Sequence, residues 1–182
     1  MGDTSLAGAV QAFAVQMAAF QAMLLAASAV HKTARWTHAR IVLRQFAGVP
    51  AVLAGLALGA ATAAEVAAAI LLLVPAYRTP GAVLAALIWT LYLALIVRAI
   101  VQGRRDVDCG CSFGPTSRPL GSFQIGRNLV LASLAAFIAW ESAAGTVPTQ
   151  GTFILGGLAP LALYGALDQV MALQPLRSGE LI

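Results

Sequence analysis

What constrains this chain most is a series of long apolar runs reaching from near its first residue to near its last. A bilayer core of roughly 30 Å takes about 20 apolar residues in a helix, and only helices or closed barrels satisfy their own backbone hydrogen bonds in lipid. Five stretches meet or approach that length: residues 6–30, 49–74, 81–100, 123–143 and 152–173. The second is entered through Pro50 and left at Pro75, and the third follows the turn Arg78-Thr79-Pro80-Gly81. The fifth is the weakest, interrupted by Gly156, Gly157, Pro160 and Asp168, so four spans are an alternative count. The expectation is an all-α, polytopic transmembrane bundle. It forms a single integral membrane domain over residues 1–182, multi-pass in a bacterial-type inner membrane.

Composition excludes the soluble alternative. The chain is 60% hydrophobic and 10% charged, whereas a soluble domain carries about 25% charged residues, so there is too little polar surface to face water all round. The net charge of +4 does not point to nucleic acid, because the basic residues are scattered between apolar runs and form no stripe. They read as topology and headgroup anchors. The first run lacks a basic leader and is too long for a signal-peptide core, so it is expected to stay in the mature protein.

Between the first two runs, residues 31–44 are basic on one side and apolar on the other at helical spacing. An amphipathic segment in the headgroup plane, anchored by Trp36, is the expectation. Lys32, Arg35, Arg40 and Arg44 in this connection and Arg104, Arg105 and Arg118 in the third outnumber Arg78 on the other side. By the positive-inside rule these two connections and the C-terminus are cytoplasmic. In either orientation, His31, His38 and the third connection share one membrane face. Gly55-x-x-x-Gly59 and the many alanines permit close helix approach, which is how bundles pack in lipid.

The two cysteines of the chain sit together in Asp108-Cys109-Gly110-Cys111, inside a connection rich in Gly, Pro and Ser. Three chemistries fit: a redox dithiol, a pair of soft metal ligands, or thiols with no role. The surrounding charges favour exposed thiols; Arg104 and Arg105 promote the reactive thiolate while Asp106 and Asp108 oppose it. A disulfide between Cys109 and Cys111 would close a very small ring, and strain makes such a bond easier to reduce. Gly110 best tolerates the backbone this demands. A redox dithiol is the favoured reading, and no metal centre is expected. With no further cysteine in the chain, disulfide exchange needs a partner thiol protein, and net turnover needs another electron acceptor or donor. A membrane quinone is the natural candidate, although no motif identifies a quinone site.

Glu65 lies near the middle of the second span, where an ionisable group is expensive and therefore a functional candidate by default. Proton handling or a polar wall for a cofactor is one role; pairing with Lys32, Arg127 or a glutamine of the first span is the structural alternative. Gln11, Gln16 and Gln21 recur every five residues and suggest interhelix hydrogen bonds. His31 and His38 fit an interfacial role, acid–base work beside the thiols, or ligation of haem or metal. Glu141 and Asp168 fall near span ends and are assigned no chemistry.

Several of these segments together resemble the methylamine utilisation protein MauE family, itself related to DoxX-like membrane proteins. The resemblance is carried by Ser28-Ala29-Val30-His31-Lys32, by Glu65, by Arg104 to Cys111, and by Arg127-Asn128, in that order. The family pattern continues Cys-Gly-Cys-Phe-Gly, whereas Ser112 here precedes Phe113 and Gly114. The resemblance implies a membrane thiol:disulfide oxidoreductase or maturation factor that forms or shuffles disulfides with a thioredoxin-like partner. Its site would be Cys109 and Cys111, supported by Asp108, Gly110, Glu65, Lys32, His31, Arg127 and Asn128. Client disulfides of that kind form outside the cytoplasm, in conflict with the charge count. Two other functions compete: a non-enzymatic subunit that anchors or assembles a larger, respiratory-type membrane complex, and soft-metal transport or delivery.

Overall fold

A computed structural model describes residues 3–103, 121–144 and 155–173. They form six α-helices and one 3-10 turn, with no strand among the described residues. Helix α1 spans Asp3–Ala34, α2 Trp36–Ala47, α3 Ala54–Leu73, α4 Arg78–Val101, α5 Ser122–Ala144 and α6 Leu158–Leu173; the 3-10 turn is Pro75–Tyr77. Four helical segments, Leu6–Ala34, Ala54–Leu73, Pro75–Val101 and Ser122–Ala143, are long and apolar enough to cross a membrane. The fifth apolar stretch is represented by α6, which has 16 residues, short of the roughly 20 a straight crossing takes.

Local chemistry sets the helix ends. α1 and α2 are almost continuous, broken only at Arg35, whose φ of −116° and ψ of 42° redirect the chain. α2 stops at Gly48, which adopts the left-handed region at φ 68° and returns its N–H to Arg44 O at 3.0 Å, a conformation that glycine enters without a Cβ penalty. α3 ends at Val74, extended at ψ 116° ahead of Pro75, because a following proline disfavours the helical region. α4 begins at Arg78, three residues earlier than the expected start at Gly81. Pro80 does not block this, since a proline in the first turn lacks only an N–H that would have no helical partner anyway.

Gly81 lets α4 fold tightly back on α3: a Cβ there would lie 2.7 Å from Leu72 N and 2.8 Å from Leu71 C. Arg78 is buried at the same corner, donating from Nε to Leu72 O at 3.2 Å. The basic residue counted against the cytoplasmic face thus serves as a cap for the carbonyl end of α3, where positive charge is favourable.

Within the bundle α4 packs chiefly on α5, and α3 on both α1 and α4. The core is built from Phe20, Leu24 and Leu25 of α1, Leu72 of α3, Trp89 of α4 and Ile138 of α5. Outward, Leu56, Ile70, Leu87, Leu91 and Trp140 are exposed, as a lipid-facing surface requires. Gln21 is fully buried: its Nε2 donates to Leu131 O at 2.9 Å and its Oε1 accepts from Trp89 Nε1 at 2.6 Å. The expected interhelix role of the glutamines is met at this position. The glycines of Gly55-x-x-x-Gly59 face α2 rather than another span, with Arg40 Nε and Trp36 Cη2 within 3.9 Å of where their Cβ atoms would be.

α2 lies across one end of the bundle. Phe46 packs with Ile96 and Ala99 of α4 and with Ile125 of α5. The end of α1, all of α2, the end of α4 and the start of α5 therefore gather at one end, as the span count requires for His31, His38 and the third connection. Gly103, after α4, and Gly121, before α5, are the described residues that flank positions 104–120.

Candidate functional site

The site is built around a buried charge. Glu65 is on the inward face of α3, with Thr62 and Ala68 buried beside it along the helix, and it is 0% exposed. Its Oε1 accepts from Ser28 Oγ at 3.0 Å and from Tyr92 OH at 2.6 Å, and it is ion-paired with Lys32 Nζ. Lys32 Nζ also donates to Tyr92 OH at 2.7 Å and lies 4.8 Å from the centre of the Tyr92 ring. Of the three partners the sequence suggested for Glu65, the structure supplies Lys32.

Helical geometry explains why these residues meet. Ser28 and Lys32 are four residues apart on α1 and so lie one above the other on one face, the face that packs on α3. Tyr92 of α4 closes the third side, with its ring set edge-on to Trp89 at 6.1 Å between centroids. A carboxylate costs several kcal/mol in a low-dielectric interior unless it is paired and hydrogen-bonded, and here three donors converge on one oxygen. The second oxygen, Oε2, is buried with no hydrogen-bond partner among the described residues. An acceptor oxygen that a further donor could reach is thus held inside the membrane-spanning bundle.

On the α2 side of the cluster lies a cavity of about 70 Å³. Lys32 and Tyr92 border it, as do His31, Arg35 and His38. Its apolar wall includes Val42 and Phe46 of α2, Leu58 and Ala61 of α3, and Leu95 of α4. Ala61 and Leu58 precede Glu65 by four and seven residues, one and two turns along the same helical face. The cavity and the carboxylate therefore lie in series, with the Lys32–Tyr92 pair between them. No group of three or more metal-ligating side chains occurs among the described residues.

Lys32 meets Glu65, and His31 borders the cavity beside Lys32. Arg127 and Asn128 are buried at the start of α5, where Asn128 Nδ2 donates to Gln124 O at 2.8 Å. Asp108, Cys109, Gly110 and Cys111 lie outside the described residues. Tyr92 is the member sequence reasoning missed; its only signal is a hydroxyl in the apolar run Leu87 to Ile96, and its distance in sequence from Lys32 and Glu65 gives no hint of contact. Arg35 is likewise a site residue only because the break between α1 and α2 brings it to the cavity.

Comparison with known proteins places the chain among relatives. The family model for methylamine utilisation protein MauE matches residues 10–141, which include Ser28, Lys32, Glu65, Tyr92, the cysteine segment and Arg127-Asn128. The chain is 31% identical over 149 residues to methylamine utilization protein MauE of Paracoccus denitrificans, covering 80% of each protein. It is 38% identical over 76 residues to the protein of the same name from Methylophilus methylotrophus, 41% of this chain and 40% of that one. No solved structure gives a significant match. A helical membrane protein whose matched region contains both the buried Lys32–Glu65 cluster and the cysteine segment, this chain belongs to the MauE family.

Proposed function

We propose that the chain is a membrane thiol:disulfide oxidoreductase or maturation factor, acting in a bacterial inner membrane through Cys109 and Cys111. In the oxidising direction, a thiolate of a thioredoxin-like partner attacks the Cys109–Cys111 disulfide and forms a mixed disulfide, releasing one thiolate of the pair. The partner's second thiolate then breaks the mixed disulfide. The partner leaves oxidised, and Cys109 and Cys111 are left as a dithiol carrying the two electrons. The carrying observation is positional: the segment with the chain's two cysteines is tethered, at Gly103 and Gly121, to the end of the bundle that holds the cavity and the Lys32–Glu65–Tyr92 cluster. The names of the relatives support a place in methylamine utilisation, where the client would be a disulfide-containing protein of that pathway.

A Cys111→Ser variant is expected to accumulate a mixed disulfide with the thioredoxin-like partner, visible as a reducible band on a non-reducing gel. In the parent protein, alkylation mass shifts should move between dithiol and disulfide as the redox buffer changes. If the shifts never change, the redox reading fails. Full function with both cysteines replaced by serine, together with stoichiometric co-purification of other membrane proteins, would identify an assembly subunit instead.

A further inference from the structure

The electron balance leaves a gap that the cavity fills. Once Cys109 and Cys111 hold two electrons, no third cysteine exists in the chain to pass them on. We infer that the cavity beneath α2 receives the carbonyl edge of a membrane quinone, which takes those electrons; this presupposes the Cys109–Cys111 exchange proposed above. The step balances as two thiols and one quinone giving one disulfide and one quinol, with two electrons and two protons passing from sulfur to the quinone oxygens.

Three observations carry the assignment. The inner end of the cavity offers hydrogen-bond donors, as a carbonyl oxygen requires. Lys32 is an ammonium with three N–H groups, of which two are directed to Glu65 and Tyr92, leaving the third for a ligand in the cavity that Lys32 borders. The body of the cavity is apolar, with Val42, Phe46, Leu58, Ala61 and Leu95 placed to receive a lipid-soluble ring. The rim carries His31 and His38, whose ring nitrogens can donate or accept hydrogen bonds, and the buried Glu65 behind Lys32 has a second oxygen with no hydrogen-bond partner among the described residues.

The size of the cavity sets how the ring sits. An engineered cavity of about 150 Å³ encloses one benzene ring, and this one measures about 70 Å³. Only the leading edge of a quinone enters, with one carbonyl at Lys32 and the isoprenoid tail running out to lipid between α2 and the spans. Arg35, exposed at the rim, is the side chain that moves aside as the ring edge enters.

The test is photolabelling of the full-length protein in phosphatidylcholine nanodiscs with an aryl-azide derivative of decylubiquinone. Label is expected on peptides of α2 and should be removed by unmodified decylubiquinone, in the parent and equally in a variant with both cysteines replaced by serine. Ala61→Phe, which fills the inner end, should weaken that competition by about tenfold or more, a loss of about 1.4 kcal/mol. His38→Ala, at an exposed position where folding is not at stake, should weaken it by about threefold, in the range of one lost hydrogen bond. Uniform label over lipid-facing helices, or label that decylubiquinone does not remove, overturns the site. So does removal of the label by phosphatidylglycerol but not by decylubiquinone, which would mark the cavity as an anionic-lipid site. Disulfide exchange with the partner without competed labelling overturns the quinone site and leaves the dithiol reading standing. Competed labelling with thiols that never change overturns the electron transfer together with the dithiol reading, and leaves a quinone-binding cavity alone.

Discussion

At the scale of single residues the largest energies sit on Glu65 and its neighbours. Removing one member of a buried ion pair leaves an uncompensated charge and costs about 3–5 kcal/mol, whereas replacing both by apolar residues is often neutral. Lys32→Met alone should therefore lower stability by about that amount, measured by unfolding in a graded detergent mixture. Lys32→Met combined with Glu65→Leu should recover most of the loss. If the double variant is as unstable as the single one, the hydrogen bonds from Ser28 and Tyr92 matter more than the charge pair. Gln21 makes a smaller contribution. Gln21→Leu strands Trp89 Nε1 and removes the side-chain donor to Leu131 O, and polar contacts between membrane helices average about 0.6 kcal/mol with a maximum near 1.7, so the loss should fall in that range. Sequence alone identified Glu65, because a carboxyl group in mid-span has few explanations, and it offered Lys32 among its partners. Tyr92 was not legible, since a tyrosine in an apolar run is equally at home against lipid or against a charge.

At the scale of helices, the corner between α3 and α4 and the seat of α2 respond differently to the same kind of change. Gly81→Ala pushes a methyl group into the backbone of Leu71 and Leu72, and overpacking of this sort costs about 1–3 kcal/mol. Gly59→Ala meets only Trp36 Cη2 at 3.8 Å, an ordinary contact, and should leave stability within about 0.5 kcal/mol of the parent. Comparing the two melting curves checks both. Four of the five apolar runs were readable as helices long enough to cross a membrane, because a length of apolar chain has one use in lipid. The amphipathic segment over residues 31–44 was equally readable, and the structure divides it into the last turn of α1 and most of α2. The partner of Gly55-x-x-x-Gly59 was not readable, because small residues announce a close approach without saying from which side. The start of α4 was misplaced by three residues for a related reason: Pro80 signals a break, yet in a first turn it continues the helix.

For the whole molecule, the joint placement of α1's end, α2, α4's end and α5's start gives a sharp expectation about sidedness. A cysteine introduced as His38→Cys, in a background with Cys109 and Cys111 replaced by serine, should react with a membrane-impermeant thiol reagent from the same side as Cys109 and Cys111 do in the parent. Labelling from opposite sides would contradict the helix arrangement. Reaction of the native pair in intact cells would place the exchange outside the cytoplasm and set aside the charge count, one of whose terms, Arg78, is already used as a helix cap. Protection until lysis would count heavily against an extracytoplasmic oxidase.

The Lys32–Glu65 pair also bears on how the protein enters the membrane as it is made. An acidic or basic side chain at the centre of a helix adds about 2.5–3.5 kcal/mol to its insertion. Both partners belong to the first two spans, so the charge can be neutralised as soon as that hairpin has left the ribosome, before α4 delivers the Tyr92 hydroxyl. Lys32, in the last turn of α1, can thus offset the cost of the mid-span Glu65 once the first two spans meet, and Tyr92 adds its hydroxyl when α4 follows.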